Sequence, residues 1–128
     1  MEREIIIIPP IVLEWSEWFA WDDLKIDARH SGGVKVPNRE AGVYEARYAD
    51  TEKRLAIARA SNLRMRIKQG LVKGETPHST GKRIRDNEEI SRIVVRWAIT
   101  ERPAAVEEEL HRRHQARFGQ LPQYTKRT

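Results

Sequence analysis

Alternating apolar and polar positions predict three short strands in the middle and later parts of the chain. Residues 43–48 alternate, so Tyr44 and every second residue lie on one face of a strand. A charged connection leads to a second alternating segment at residues 55–58. Residues 90–99 are apolar on both faces, which is typical of the central strand of a sheet. We therefore predict a three-stranded sheet, mixed or antiparallel.

Two helices are predicted around these strands from their capping residues. Asn62 is a good N-cap for a basic helix that we expect to end at Gly70. Pro103 suits the first turn of a last helix that continues at helical spacing to Phe118. Together with the strands, these helices predict a small α/β (α+β) protein with a three-stranded sheet flanked by helices.

An aromatic segment precedes this predicted domain. Trp15, Trp18 and Trp21 recur every third residue, which predicts a short helix or helical turn with one aromatic side. Such a stripe is usually part of a core, and the alternative is a surface for a protein partner or a homodimer. Turn residues near 31–38 separate the segment from the rest. We therefore divide the chain into an extension (1–40), a main domain (41–119) and a tail (120–128).

Charge divides the chain in the same way. Residues 1–41 contain 5 Lys/Arg against 8 Asp/Glu, whereas residues 42–128 contain 19 against 11. Clustered cations bind a phosphate backbone by releasing counterions, so this excess favours nucleic acid as a partner, although a solvated basic face is the plain alternative. The candidate nucleic-acid-binding residues are Arg59, Arg64, Lys68, Lys82 and Arg83.

Composition also limits the cellular setting that we expect. The chain has no cysteine, which excludes disulfides and cysteine-ligated zinc and fits a reducing compartment. The apolar run at residues 5–8 is too short to span a bilayer, and Pro9 and Pro10 interrupt it. We expect a soluble, cytoplasmic protein without a membrane partner.

The central stretch resembles a known nuclease family. Gly42-Val43-Tyr44, then Ala56-Ile57-Ala58, then Arg59-Ala60-Ser61-Asn62-Leu63 with Arg66, are similar to the motifs of the GIY-YIG nuclease domain. The resemblance covers roughly residues 42–119. The second motif differs, because the family has Tyr-Ile-Gly where this chain has Ala56 and Ala58, and Gly119 stands where members often have asparagine.

The resemblance implies hydrolysis of DNA phosphodiester bonds with one Mg²⁺ or Mn²⁺ ion. It implies that Glu107 binds the metal, that Arg66 binds the scissile phosphate, and that Tyr44 positions or deprotonates the attacking water. A one-residue shift of register would make Glu108 the metal ligand instead. His78, in a loop that we expect to be accessible, would accept or relay a proton beside the phosphate, or would cap a turn.

Three alternatives to an active nuclease remain open at this point. Ala56 removes a hydroxyl and Ala58 adds a methyl group, so the chain could be a catalytically silent nucleic-acid-binding module, unless Tyr48 supplies the missing hydroxyl. A protein-interaction module that uses the tryptophans is the second alternative. A third is a transition-metal site on the last helix, where Glu107, His111 and His114 share one stripe.

Overall fold

The computed structural model describes residues 3–7 and 10–125 and shows a mixed α+β fold, as the sequence predicts. Its sheet is antiparallel with the strand order β1-β4-β2-β3. The strands are β1 (Phe19–Ala20), β2 (Gly42–Tyr48), β3 (Ala56–Ala60) and β4 (Ile93–Ile99). The predicted count of three strands was wrong, because the two-residue strand β1 pairs with β4 and is too short to show an alternating pattern.

The helices follow or lie between these strands. A π-helix (Met65–Val72) follows β3, and α1 (Ser79–Asn87) follows the π-helix. The last helix, α2, spans Pro103–Phe118, and Gly119 ends it with a left-handed φ of 74°. Short 3-10 helices occupy Trp21–Lys25 and Ile90–Arg92. Proline at the start and a left-handed glycine at the end are strong local signals, and α2 begins and ends where they predict.

The basic helix does not end at Gly70, which was the predicted stop. Gly70 lies inside the π-helix, and Arg85 donates hydrogen bonds to the carbonyl oxygens of Gly70 and Leu71. A Cβ atom on Gly70 would lie 2.8 Å from Cδ2 of His78. Glycine is therefore needed at position 70 because His78 approaches closely there, and not because the helix ends there.

The two faces of the sheet are covered differently. One face bears Tyr44 and Ala46 and packs on the main core, which also contains Leu63 and Ile67. The opposite face bears Val43 and Ala98 and packs under Val106 of α2 in a smaller apolar cluster. Strand β2 contacts both layers, because its successive residues point to opposite faces.

The glycine at the start of β2 is required by a close backbone approach. A Cβ atom on Gly42 would lie 2.2 Å from the carbonyl oxygen of Ala98 and 2.8 Å from Cδ1 of Leu63. No side chain fits that space without moving β4. The first glycine of the Gly-Val-Tyr motif therefore has a packing reason of its own in this chain.

Residues from the predicted extension pack in the same core as the main domain. Trp21 is fully buried in the main core, and the ring of Phe19 stacks on Trp97 with centroids 5.2 Å apart. The predicted helical turn is correct only for the 3-10 helix that begins at Trp21. Residues 15–18 are not helical, because the Ser16 backbone N–H donates to the Trp97 carbonyl and its hydroxyl accepts from the Trp97 N–H.

The other two tryptophans are half-buried against arginine side chains. Glu45, only 3% exposed, accepts hydrogen bonds from Arg54 (2.8 Å) and Arg96 (2.7 Å). The guanidinium of Arg96 lies 4.1 Å from the ring centroid of Trp15 and 4.5 Å from that of Trp18. Stacking of this kind lets cations and aromatic rings share a partly dry environment.

The C-terminal segment returns to the main core. The Tyr124 backbone N–H donates to the Leu55 carbonyl at 2.8 Å, and the Tyr124 side chain is buried. Residues 126–128 of the predicted tail lie outside the described residues, as do Pro9 and Ile8 of the apolar run. Within residues 3–7 and 10–125, no helix has the length and apolar character needed to cross a bilayer.

Glu45→Ala is expected to destabilise the protein by about 3 kcal/mol, because removal of one member of a buried ionic network leaves the other charges uncompensated. Asp86→Ala is the matched control, since Asp86 pairs with Lys82 on the surface, and a change of no more than about 0.5 kcal/mol is expected there. Urea unfolding curves measure both. Equal losses in the two variants would show that the Glu45 network is no more important than a surface pair.

Candidate active site

A cleft with a volume of about 660 Å³ runs along the outer edge of β3. Tyr44 from β2, Arg66 from the π-helix and Glu107 from α2 all line it. These three predicted site residues are far apart in sequence, and the fold brings them to one place. The cleft therefore combines a phenol, a guanidinium and a carboxylate.

Tyr44 is fully buried, and burial governs its chemistry. Desolvation raises the pKa of the phenol to about 12, although a hydrogen bond from Arg66 and its positive charge act in the opposite direction. The negative charge of Glu107 adds a small further increase. Tyr44 is therefore a neutral phenol at physiological pH and can donate a hydrogen bond.

His78 is buried rather than accessible, which corrects the prediction of an exposed loop histidine. It is the N-cap residue of α1, where its Nδ1 accepts a hydrogen bond from the Gly81 N–H at 2.8 Å. An imidazole nitrogen that accepts a hydrogen bond carries no hydrogen, so the ring proton lies on Nε2. Nε2 is 2.9 Å from the Tyr44 hydroxyl oxygen and therefore donates to it. The predicted capping role of His78 is therefore confirmed, and its predicted role in proton transfer stays a prediction.

Glu107 lies against the outer edge of β3. One carboxylate oxygen of Glu107 accepts a hydrogen bond from the Arg59 backbone N–H at 2.9 Å. His111, one turn further along α2, contacts the Ile57 carbonyl oxygen at 2.7 Å and donates to it through Nε2. Glu108 is exposed and lies outside the cleft lining. The geometry therefore favours Glu107 over Glu108 as the carboxylate that faces a ligand in the cleft.

The donor atoms of the cleft fit a hard cation only together with a phosphate. Mg²⁺ prefers carboxylate oxygens and commonly binds through one or two of them plus water and substrate phosphate. Glu107 offers one such carboxylate, half-buried and beside Arg66. Among the residues that the structure describes, no group of three or more His, Cys, Asp or Glu side chains could hold a metal ion.

The transition-metal stripe on α2 does not have free ligands. His111 is engaged with the Ile57 carbonyl oxygen. His114 accepts from the Arg54 N–H through Nε2 at 3.1 Å and contacts the Gln120 carbonyl oxygen through Nδ1 at 2.7 Å. Burial lowers the pKa of His114. Both histidines thus satisfy backbone groups of neighbouring segments.

The two altered motif positions have different surroundings. Ala58 pairs directly with Tyr44 across the strands and lines the cleft. Ala56 is 1% exposed and belongs to the main core, outside the cleft lining. A tyrosine at position 56 would therefore have to displace core side chains before its hydroxyl could reach the cleft.

Tyr48 does not replace the missing hydroxyl. Its hydroxyl donates to Glu88 at 3.2 Å and accepts from the Glu89 N–H, near the opposite end of β2 from Gly42. Tyr124, which was not predicted, also lines the cleft and donates its hydroxyl proton to Glu88 at 3.2 Å. Nothing in the spacing near the C-terminus indicates this return. Thr80 and Glu101 are further cleft residues that were not predicted, and His111, predicted only as a transition-metal ligand, also lines the cleft.

The candidate nucleic-acid-binding residues separate into exposed and buried members. Four of them are exposed: Arg59, Arg64, Lys82 and Arg83. Arg59 also lines the cleft. Lys68 has to be removed from the set, because it is 4% exposed and its Nζ donates to the Ile26 carbonyl oxygen at 3.1 Å. Burial, with the nearby positive charges of Lys73 and Arg64, lowers the pKa of Lys68.

Comparison with known proteins gave no match to a family model, to a curated protein or to a solved structure. The resemblance to a nuclease family therefore stays a prediction from the quoted motifs.

Tyr44 is expected to make stability fall with pH in alkaline solution. Its folded pKa of about 12 lies above the unfolded value near 10, so its contribution is fully present below pH 10 and is lost as pH rises towards 12. A shift of this size corresponds to about 3 kcal/mol. Urea unfolding of the protein and of Tyr44→Phe between pH 8 and pH 11.5 measures the effect. The loss of stability above pH 10 should be smaller in Tyr44→Phe, and parallel pH profiles would contradict the prediction.

Proposed function

We propose that the chain is a divalent-metal-dependent endonuclease of the GIY-YIG type that hydrolyses phosphodiester bonds in DNA. One observation carries the proposal. Three residues chosen from sequence motifs, Tyr44, Arg66 and Glu107, line the same cleft, and His78 donates to Tyr44 behind them. The convergence of these side chains from β2, the π-helix, the start of α1 and α2 is what supports a common function.

Arg66 is the proposed phosphate ligand. It is half-buried and lines the cleft with Tyr44, and its positive charge lowers the pKa of the phenol. A guanidinium in a partly dry cleft stabilises the extra negative charge that a phosphodiester acquires in the transition state. Arg59 lines the same cleft and would contact the same strand of DNA.

Tyr44 is proposed to orient the attacking water or a phosphate oxygen, and not to deprotonate the water. Its oxygen already accepts a hydrogen bond from His78. Its own proton is therefore left to donate into the cleft. A phenol with a pKa of about 12 is almost entirely protonated at pH 7 and is a poor base there.

Glu107 is the proposed metal ligand. A bound Mg²⁺ or Mn²⁺ would neutralise charge on the phosphate and favour ionisation of water. The carboxylate of Glu107 already accepts the Arg59 N–H, and this bond fixes its direction towards the cleft. DNA is the proposed substrate because Arg59 and Arg66 line the cleft, Arg83 stacks on the ring of Tyr124 in its wall, and a phosphate backbone complements these cations.

Glu107→Gln is expected to abolish cleavage while leaving the fold intact. The glutamine oxygen can still accept the Arg59 N–H, but the amide lacks the negative charge that binds a metal. Nicking of supercoiled plasmid with Mg²⁺ or Mn²⁺ should fall by about a hundredfold or more. Glu108→Gln, which changes the exposed neighbour, is the matched control and should cleave at the rate of the unaltered protein.

Arg66→Ala should also lose activity by about a hundredfold, since it removes the proposed charge stabilisation. Equal cleavage by the unaltered protein and Glu107→Gln would indicate a contaminating nuclease and overturn the assignment of this site. Tight DNA binding by the unaltered protein without any cleavage would favour the silent nucleic-acid-binding module. Ala56 and Ala58 favour this alternative, because they remove a hydroxyl and add a methyl group at the family's second motif.

A further inference from the structure

We propose a second phosphate-binding pocket, formed by Lys35 of the N-terminal segment and Arg64 at the start of the π-helix. It would hold a DNA backbone phosphate outside the cleavage site, so it rests on the proposed function. The pocket has a volume of about 290 Å³. Its lining consists of Ala28, Arg29, Lys35, Val36 and Arg64. Three of these five residues are cations, and none is acidic.

The pocket has walls that the backbone fixes. Lys68 of the π-helix donates to the Ile26 carbonyl at one end of the 26–37 segment. At the other end, the Arg64 backbone N–H donates to the Pro37 carbonyl at 3.0 Å. The segment is thus bonded to the helix on both sides of Lys35. The cations on the two walls are held near each other before any ligand arrives, which reduces the entropic cost of binding.

Two glycines allow the segment to fold back towards the helix. Gly32 has a left-handed φ of 82°. A Cβ atom on Gly33 would lie 2.1 Å from the Asp27 carbonyl oxygen, and the Gly33 N–H donates to the His30 carbonyl at 3.0 Å. Only glycine fits such a tight turn without moving the backbone. The turn directs the chain towards position 35 beside Arg64.

The charge of the pocket comes mainly from Lys35 and Arg64. Arg29 also lines it, but Asp27 accepts hydrogen bonds from Arg29 at 2.9 Å and 3.2 Å, and this pairing offsets its charge. Both Lys35 and Arg64 are exposed, so a ligand can reach them. A singly charged phosphodiester oxygen between a lysine and an arginine would neutralise part of this charge.

The pocket lies close to the proposed cleavage site along the chain. Arg64 lines the pocket and Arg66, two residues later, lines the cleft. One strand of duplex DNA carries a phosphate about every 3.4 Å along the helix axis. Residues two apart on a helix point to different sides, so the two arginines would contact phosphates at separate points of the DNA. The N-terminal extension is acidic in total, but its Lys35 would contribute a basic contact to the same DNA.

The test measures DNA affinity without a divalent metal, so that cleavage does not enter. Fluorescence anisotropy of a labelled duplex gives the dissociation constant from 50 to 300 mM KCl. The double variant Lys35→Gln, Arg64→Gln should lower the magnitude of the slope of log affinity against log salt by about 1, because the pocket holds one phosphate and each lost phosphate contact contributes about 0.9. The matched control, Lys53→Gln with Arg112→Gln, removes the same charge from exposed residues that line neither site.

Each outcome decides between the two proposals. The pocket is supported if only the double variant has a lower slope, while its thermal melt stays normal. Arg64→Lys, which keeps the charge, should then retain the slope of the unaltered protein. Equal slopes in the double variant and the control overturn the pocket, while plasmid nicking that still depends on Glu107 leaves the proposed function standing. Absence of DNA binding by the unaltered protein overturns both. Equal decreases in the double variant and the control show a general charge effect and also overturn the pocket.

Discussion

A buried hydroxyl needs hydrogen-bond partners, and the way Tyr44 obtains them determines much of this structure. Its oxygen accepts from His78, and His78 in turn accepts from the Gly81 N–H at the start of α1. The imidazole needs room, which the missing side chain of Gly70 provides. One chain of contacts therefore connects the central strand, the π-helix and α1. The phenol at the centre of this chain also lines the cleft.

The positions of elements with strong local signals could be predicted from the sequence. Proline at the start and Gly119 at the end predict α2, and alternation predicts β2. Strand β1 could not be predicted, because two residues cannot show a period and its pairing with β4 is a long-range contact. Gly70 was misinterpreted for a related reason. Its role depends on a histidine that approaches from another segment.

The candidate site could be predicted in part for the same physical reasons. The motifs place Tyr44 near the start of β2 and Arg66 shortly after the end of β3. The fold brings both to the cleft. The burial of His78 and Lys68 depends on tertiary packing, which spacing does not encode. Tyr124 was missed because its position depends on long-range contacts, a backbone bond to Leu55 and a side-chain bond to Glu88. Resemblance to a family also draws attention away from residues outside its motifs.

The outer edge of β3 would expose backbone groups to any passing strand if α2 did not cover it. Glu107 accepts the Arg59 N–H and His111 donates to the Ile57 carbonyl oxygen. Unpaired edges of this kind invite sheet-to-sheet association between molecules. The carboxylate proposed for chemistry thus also keeps an edge strand closed. Replacing it by a side chain that cannot accept a hydrogen bond would therefore also alter how the protein behaves at high concentration.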